Sequence, residues 1–190
     1  FVVILGGAKV SDKILVIEKL LEKANTVIIG GAMAYTFRLA LGHTVGKSLV
    51  EKDKVEVARS VLEKAKAKGV TLLLPEDNTI ATPYETGELN KKGKPKLAFK
   101  DVVVNDSLDI PDHAEGLDIG PKSIEAFSKA IAQAKTILWN GPMGMFEDER
   151  FAAGSVGVGQ AIVDATAGGA KSIIGGGDSV KALNKAGLTD

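Results

Sequence analysis

A doubly wound α/β fold, its sheet mostly parallel and its helices on both faces, is what this 190-residue sequence predicts. Three observations point to it. Short apolar runs recur at 2–5, 27–29, 70–74, 102–104, 136–139 and 172–174, each reading as a strand buried on both faces. Amphipathic stretches separate most of them, and strand–helix alternation builds parallel sheets through crossover connections. Glycine follows strand after strand, as it does where a chain turns sharply at a sheet edge.

The elements follow in order. VVIL at 2–5 opens the chain, and Ser11 is the expected N-cap of a helix over 11–24, with Ile14, Ile17, Leu20, Leu21 and Ala24 on one face. After VII at 27–29, AMAYTFRLAL reads as a helix that Gly42 ends by taking φ > 0. Ser48 and Glu51 have capping-box spacing ahead of a helix over 52–68, which stops before Gly69. The strand VTLLL comes next. The stretch 76–110 breaks the rhythm with Thr82-Pro83, Gly87, Gly93 and Pro95, and predicts a small hairpin excursion. Pro121 suits a first helical position, with Ile124, Phe127 and Ile131 as the buried stripe. TILW, a helix over roughly 148–166, SII and a helix over 178–186 complete the pattern, and no internal repeat is present.

Composition narrows the function classes. A formal net charge of zero argues against a general nucleic-acid or anionic-membrane binder. The basic run KKGKPK at 91–96 reads as a solvated turn. Absence of cysteine fits a reducing compartment such as the cytoplasm, and no apolar run has the length of a membrane span. The chain starts FVVILGG inside a strand and stops after a helix, so it is expected to be one domain cut from a longer protein. Loss of a following strand would then expose a sheet edge and invite aggregation.

GHTVGKSL at 42–49 imitates a P-loop, but the pattern needs glycine at 41, where Leu41 stands, and a preceding strand, where a helix is expected. Ligands of open α/β sheets bind beyond the strands' carboxyl ends, where helix N-termini offer N–H groups. Gly6-Gly7-Ala8-Lys9, Gly30-Gly31-Ala32-Met33, Asn140-Gly141-Pro142-Met143-Gly144 and Gly175-Gly176-Gly177-Asp178-Ser179 lie at such places. One such turn signifies only tight folding; four on one edge make a rim that a flat or charged ligand can approach without Cβ hindrance. Gly175–Ser179 is the best candidate anion site. Asp178 reads either as an N-cap or as a carboxylate that meets phosphates through Mg²⁺, and the two roles are compatible. Lys13 in a helix's first turn opposes the macrodipole, and Lys9 stands just before it. They are either solvated lysines or a clamp for phosphate charge. No G-x-G-x-x-G follows the first strand, no G-x-S-x-G occurs, and His43 and His113 have no metal-ligand spacing.

LGGAKVSDKI, IIGGAMAYTF, VGKSLVE, LLLPED, GLDIGPKSIE, WNGPMGMFE and GGGDSVKAL, in that order, resemble the C-terminal, nucleotide-binding domain of the phosphoglycerate kinase family. The likeness covers the whole chain and is weakest over 78–110. It implies a Rossmann-like lobe of a cytoplasmic, monomeric glycolytic enzyme that transfers a phosphoryl group reversibly between 1,3-bisphosphoglycerate and ADP with Mg²⁺, giving 3-phosphoglycerate and ATP. By this resemblance Gly6, Gly7, Ala8, Gly30, Gly31, Gly116, Leu117, Pro142 and Met145 surround adenine and ribose, with Glu147 on the ribose hydroxyls. Lys13, Asn140 and Gly176-Gly177-Asp178-Ser179 hold phosphates, Asp178 ligates Mg²⁺, and Lys9 and Gly177 serve the transferred group. Ala32 replaces a usual third glycine, which is expected to crowd the adenine pocket slightly. The phosphoglycerate-binding lobe and a final strand are absent from these residues, so the chain alone is expected to bind nucleotide without efficient turnover. The rival reading is a stand-alone nucleotide-binding or interaction module.

Overall fold

The computed structural model describes residues 1–186, at 177–179, 185 and 186 through the backbone alone. Five strands, β1 (Val2–Leu5), β2 (Thr26–Ile29), β3 (Thr71–Leu73), β7 (Thr136–Asn140) and β8 (Lys171–Gly175), form one parallel sheet in the order β3-β2-β1-β7-β8. The chain first builds outward from β1 on one side and later returns to add β7 and β8 on the other. The switch point therefore lies between β1 and β7.

Strand periodicity sorts the side chains into two cores. Val3, Leu5, Val27 and Ile29 pack under α1 (Val10–Leu20), α2 (Met33–Ala40) and α3 (Val55–Ala67), through Ile17, Phe37 and Val61 among others. Val2, Ile4, Ile28, Ile137 and Trp139 face the other way. They meet α4 (Pro121–Ala132), α5 (Ala153–Ala167) and α6 (Gly177–Ala186) through Phe127, Ile131, Val158, Ile162 and Leu183. Burial on both faces explains why β1 and β2 read as unbroken apolar runs. β8 is an edge strand, with Ile173 63% exposed.

A second, antiparallel sheet holds β5 (Pro95–Asn105), β4 (Asn78–Leu89) and β6 (Glu115–Ile119) in that order. The hairpin excursion is thus present, with exposed lysines at its tip. The run at 102–104 is not a buried parallel strand. It belongs to the β5 arm, where Val103 and Val104 pair with Ile80 and Thr79 and are each 54% exposed. Three consecutive valines have high strand propensity, and nothing in such a run says which sheet takes it. β6 was not expected, because Gly116 and Asp118 interrupt its apolar pattern.

Four helix starts differ from expectation. α1 begins at Val10 with Lys9 as N-cap, so Ser11 lies inside the first turn. The Ser48–Glu51 capping box does not form. A short 3₁₀ turn, Lys52–Lys54, precedes α3, and another, Glu149–Phe151, precedes α5. Instead, Ser48 Oγ accepts from Gly116 N at 2.9 Å and Lys47 N donates to Ala114 O at 2.8 Å. The pseudo-P-loop is a strap against the segment leading into β6. The α6 helix starts at Gly177, which places Asp178 within its first turn rather than at the N-cap, and Gly187 lies outside the described residues.

Candidate functional site

The glycine turns after β1, β2 and β7 lock into one another. Gly6 N donates to Asn140 O at 2.9 Å, Gly7 N to Pro142 O at 3.1 Å, Gly31 N to Met143 O at 3.1 Å and Met33 N to Gly7 O at 3.0 Å. A Cβ on Gly6 would fall on the carbonyl oxygens of Pro142 and Gly141, and one on Gly31 would come within 2.5 Å of Gly7 N. These residues are glycine because backbone meets backbone. That requirement differs from free ligand approach, and it produces a rigid floor rather than a mobile rim. Trp139 Nε1 donates to Gly141 O at 2.6 Å and stiffens the same turn from below.

Above this floor lies a cavity of about 220 Å³. Gly7, Ala8, Gly31, Gly116, Leu117, Pro142 and Met145, all anticipated from the sequence, line it. Gly6 and Gly30 do not; both are buried beneath, Gly6 in the interlock and Gly30 against Met143. Ala32 lines the cavity as anticipated for a residue beside the pocket. Glu147 is exposed, two residues past Met145, and outside the lining.

Met143 and Gly144 come from the glycine-rich turn after TILW that was read as part of the rim, whereas three wall residues were not foreseen: Tyr35, Leu49 and Glu115. Tyr35 and Leu49 sit in stretches read only as a helix and a connection, and tertiary packing alone brings them here. The Tyr35 hydroxyl accepts from Asn78 Nδ2 at 2.8 Å, and Asn78 Oδ1 accepts in turn from the buried Arg38, which also donates to Pro75 O. Burial, chiefly, raises the Tyr35 phenol far above its usual range, so it stays neutral.

Asp118 braces the opposite wall. Its side chain is 1% exposed and accepts from Gly154 N in the first turn of α5 at 2.8 Å and from Ile119 N at 2.9 Å. Burial pushes its carboxyl up to about 7, against the pull of those two N–H donors. Gly144 packs so closely on it that a Cβ there would approach Asp118 Oδ1 within 2.5 Å. Met143 N donates to Ser155 Oγ at 2.9 Å and Met145 N to Leu117 O at 2.8 Å, so the 141–145 loop is fixed from both β6 and α5.

Beside the cavity, across the switch point, Lys13 Nζ donates to Asn140 Oδ1 at 2.6 Å. These two residues, 127 apart in sequence, are thereby brought together. Lys9 is exposed at the start of α1. The α1 N-terminus is already occupied, since the Glu51 carboxylate accepts from Ser11 N at 3.1 Å and from Ser11 Oγ at 2.7 Å. Partial burial opposes that charge, but the Ser11 and Val10 donors and Lys9 outweigh it and hold Glu51 below the ordinary range. Gly176 (φ 82°) leads from β8 into α6, whose N-terminus opens on the same edge. The side chains of Asp178 and Ser179 lie outside the described residues.

The phosphoglycerate kinase family model matches residues 1–190. The chain is 51% identical over its full length to phosphoglycerate kinase of Clostridium novyi, covering 44% of that protein. It is 53% identical to the Chlorobaculum tepidum enzyme, covering 45% of it. Among solved structures, the phosphoglycerate kinase of Coxiella burnetii superposes with a TM-score of 0.86 at 40% identity, over 100% of this chain and 45% of that one. That of Pyrococcus horikoshii gives 0.75 at 31% identity, over 97% and 43%. The chain thus spans less than half the length of the relatives it matches, and with a match from end to end it belongs to the phosphoglycerate kinase family.

Proposed function

We propose that residues 1–190 are the C-terminal, nucleotide-binding lobe of a phosphoglycerate kinase, the half that presents ADP or ATP for reversible phosphoryl exchange with 1,3-bisphosphoglycerate and 3-phosphoglycerate. The observation that carries this reading is the junction of an apolar cavity with the Lys13–Asn140 pair at the switch point of a doubly wound sheet. A flat base fits between the Gly7–Ala8 and Gly31 turns on one side and Leu117 and Met145 on the other. Phosphates then extend over the β1–β7 junction toward Lys13, Asn140 and the α6 N-terminus. Glu147, just beyond Met145, is the carboxylate within reach of a ribose.

Such chemistry asks the protein for position and charge neutralisation rather than a nucleophile. Lys13 supplies fixed charge, and its bond to Asn140 holds the ammonium in place before a ligand arrives. Lys9, exposed at the edge, is free to follow a group that moves, and the Gly177 N–H at the α6 start is the donor assigned to the same group. Among the described residues no group of three or more His, Cys, Asp and Glu side chains is arranged to hold a metal ion. Mg²⁺ that accompanies a nucleotide is held through phosphate oxygens and one or two carboxylates. Asp178, in the first turn of α6, is the residue assigned to it; the ion would neutralise phosphate charge. The phosphoglycerate substrate belongs to the remainder of a full-length enzyme, and lobe closure would exclude water. No described helix is long and apolar enough to cross a membrane, and we place the enzyme in the cytoplasm as a monomer. Calorimetric titration with MgADP tests the reading. Binding that weakens at least tenfold in Lys13→Ala supports it, and equal affinity in both proteins refutes it.

A further inference from the structure

The cavity wall contains one carboxylate that the fold does not use. Glu115 opens β6, and strand alternation puts it on the same face as Leu117, so both line the cavity. Leu117, Leu49 and Met145 give that wall an apolar character. The other polar wall side chain, Tyr35, is already engaged by Asn78. Among the described residues Glu115 has neither a hydrogen-bond donor nor a cation within ion-pairing reach, and the buried Arg38 is committed to Asn78 and Pro75. Asp118, two positions behind Leu117's neighbour Gly116 on the alternate face, is saturated by backbone N–H groups. A half-buried, unpartnered carboxylate is unfavourable unless a ligand supplies a donor.

We propose that Glu115 is a specificity-determining residue whose carboxylate accepts a hydrogen bond from the exocyclic amino group of a purine in this cavity, and so favours a 6-amino base over a 6-oxo one. The inference rests on the nucleotide reading of the site. Lys13 lies against the Gly7 turn, whereas Tyr35 and Ser48 lie against Gly116, the neighbour of Glu115; with the phosphates at Lys13 and Asn140, Glu115 is therefore assigned to the edge of the base rather than the ribose. A 6-amino group donates to a carboxylate, whereas a 6-oxo group presents its own lone pairs and is repelled. Burial pushes the Glu115 carboxyl up to about 6, which leaves it ionised and able to accept near neutral pH.

The test is calorimetry near neutral pH on the full-length protein and its Glu115→Gln variant, each titrated with MgADP and MgIDP. Gln conserves the shape and can donate to a 6-oxo group, so folding is spared and discrimination is what changes. The wild type is expected to bind MgADP roughly tenfold more tightly than MgIDP, the size of one charge-assisted hydrogen bond. In Glu115→Gln the ratio is expected to fall to about twofold or less. An unchanged ratio overturns the proposal. So does an equal loss for both nucleotides, which would put Glu115 on the ribose, and so does a wild type that binds both alike. Binding of neither nucleotide by the wild type removes the nucleotide reading itself, and the proposal with it.

Discussion

Replacing Asp118 with Asn should make the protein's stability fall less steeply with rising pH than that of the wild type. The Asp118 carboxyl, 1% exposed, titrates at about 7 in the folded chain against an ordinary value of 3.8. The folded state therefore holds this proton more tightly than the unfolded chain, and its contribution is complete below about pH 4. It drains away as pH rises and is lost once pH passes about 7. A difference of about three units corresponds to roughly 4 kcal/mol in total, of which on the order of 2.5 kcal/mol disappears between pH 5 and pH 8. With a urea slope of about 2 kcal/mol/M, the wild-type midpoint should fall by roughly 1 M over that interval. Asn keeps one of the two acceptors that Gly154 N and Ile119 N now share, at a constant penalty of about 1–3 kcal/mol. Glu115 drifts in the same direction as Asp118, while Glu51 and Asp109, held low, gain as pH rises through their unfolded values. All three titrate in both proteins and cancel in the comparison. Urea titrations at the two pH values, for both proteins, provide the assay. Parallel pH slopes would refute the argument, since they would mean that Asp118 is already ionised in the fold at pH 5.

Other perturbations test other links. Gly6→Ala forces a methyl onto the Pro142 and Gly141 carbonyls, both rigid backbone, and should destabilise by about 1–3 kcal/mol or more in a denaturant melt. A neutral result would show that the turns are looser than their hydrogen bonds imply. Glu51→Gln should lower stability by about 1 kcal/mol by weakening the α1 cap, and Ser11→Ala combined with it should add little further. Full additivity of the two changes would mean that they do not share a bond. Charge reversal of Lys91, Lys92 and Lys94 at the hairpin tip should shift stability by no more than about 0.5 kcal/mol and leave MgADP affinity unchanged, as these residues are exposed. A change in affinity would assign the hairpin a role at the site.

Periodicity made the parallel sheet legible because burial on both faces leaves no polar interruptions in β1 and β2. The same rule misplaced the valines of β5, whose arm is half solvated, and passed over β6, whose Gly116 and Asp118 are required by their neighbours. Glycines at strand ends pointed to the edge that carries the cavity, but their cause was only half as expected. Gly7 and Gly31 border the cavity, whereas Gly6 and Gly30 are glycine because Gly141, Pro142 and Met143 lie against them, contacts more than a hundred residues away in sequence. The same long range explains why Lys13 could be singled out while its partner Asn140 was read only as part of a glycine turn and gained a phosphate role only with the family resemblance. Tyr35 and Glu115 gave no local signal, since a tyrosine on a buried helix and a glutamate before a glycine are both ordinary.

The distribution of carboxylates also argues for where an anionic ligand goes. Several helices start at the edge where the parallel strands end, and each N-terminus is in principle an anion site. Three are served by the chain's own acids. Glu51 accepts from Ser11 at α1, Asp77 from Lys122 N at 2.9 Å and Ser123 N at 2.8 Å at α4, and Asp118 from Gly154 N at α5. Each acid comes from a distant segment, so these contacts staple the loops to the sheet and at the same time close those termini to phosphate. The α2 start is apolar and lies within the cavity, with Met33 N donating to Gly7 O. The α6 terminus opens on the last of three consecutive glycines and follows β8 next to Asn140, close enough that a Cβ on Gly175 would lie 3.4 Å from Asn140 Nδ2. Under the proposed nucleotide reading, phosphates drawn to α6 would pass Asn140 and Lys13 on the way from the cavity.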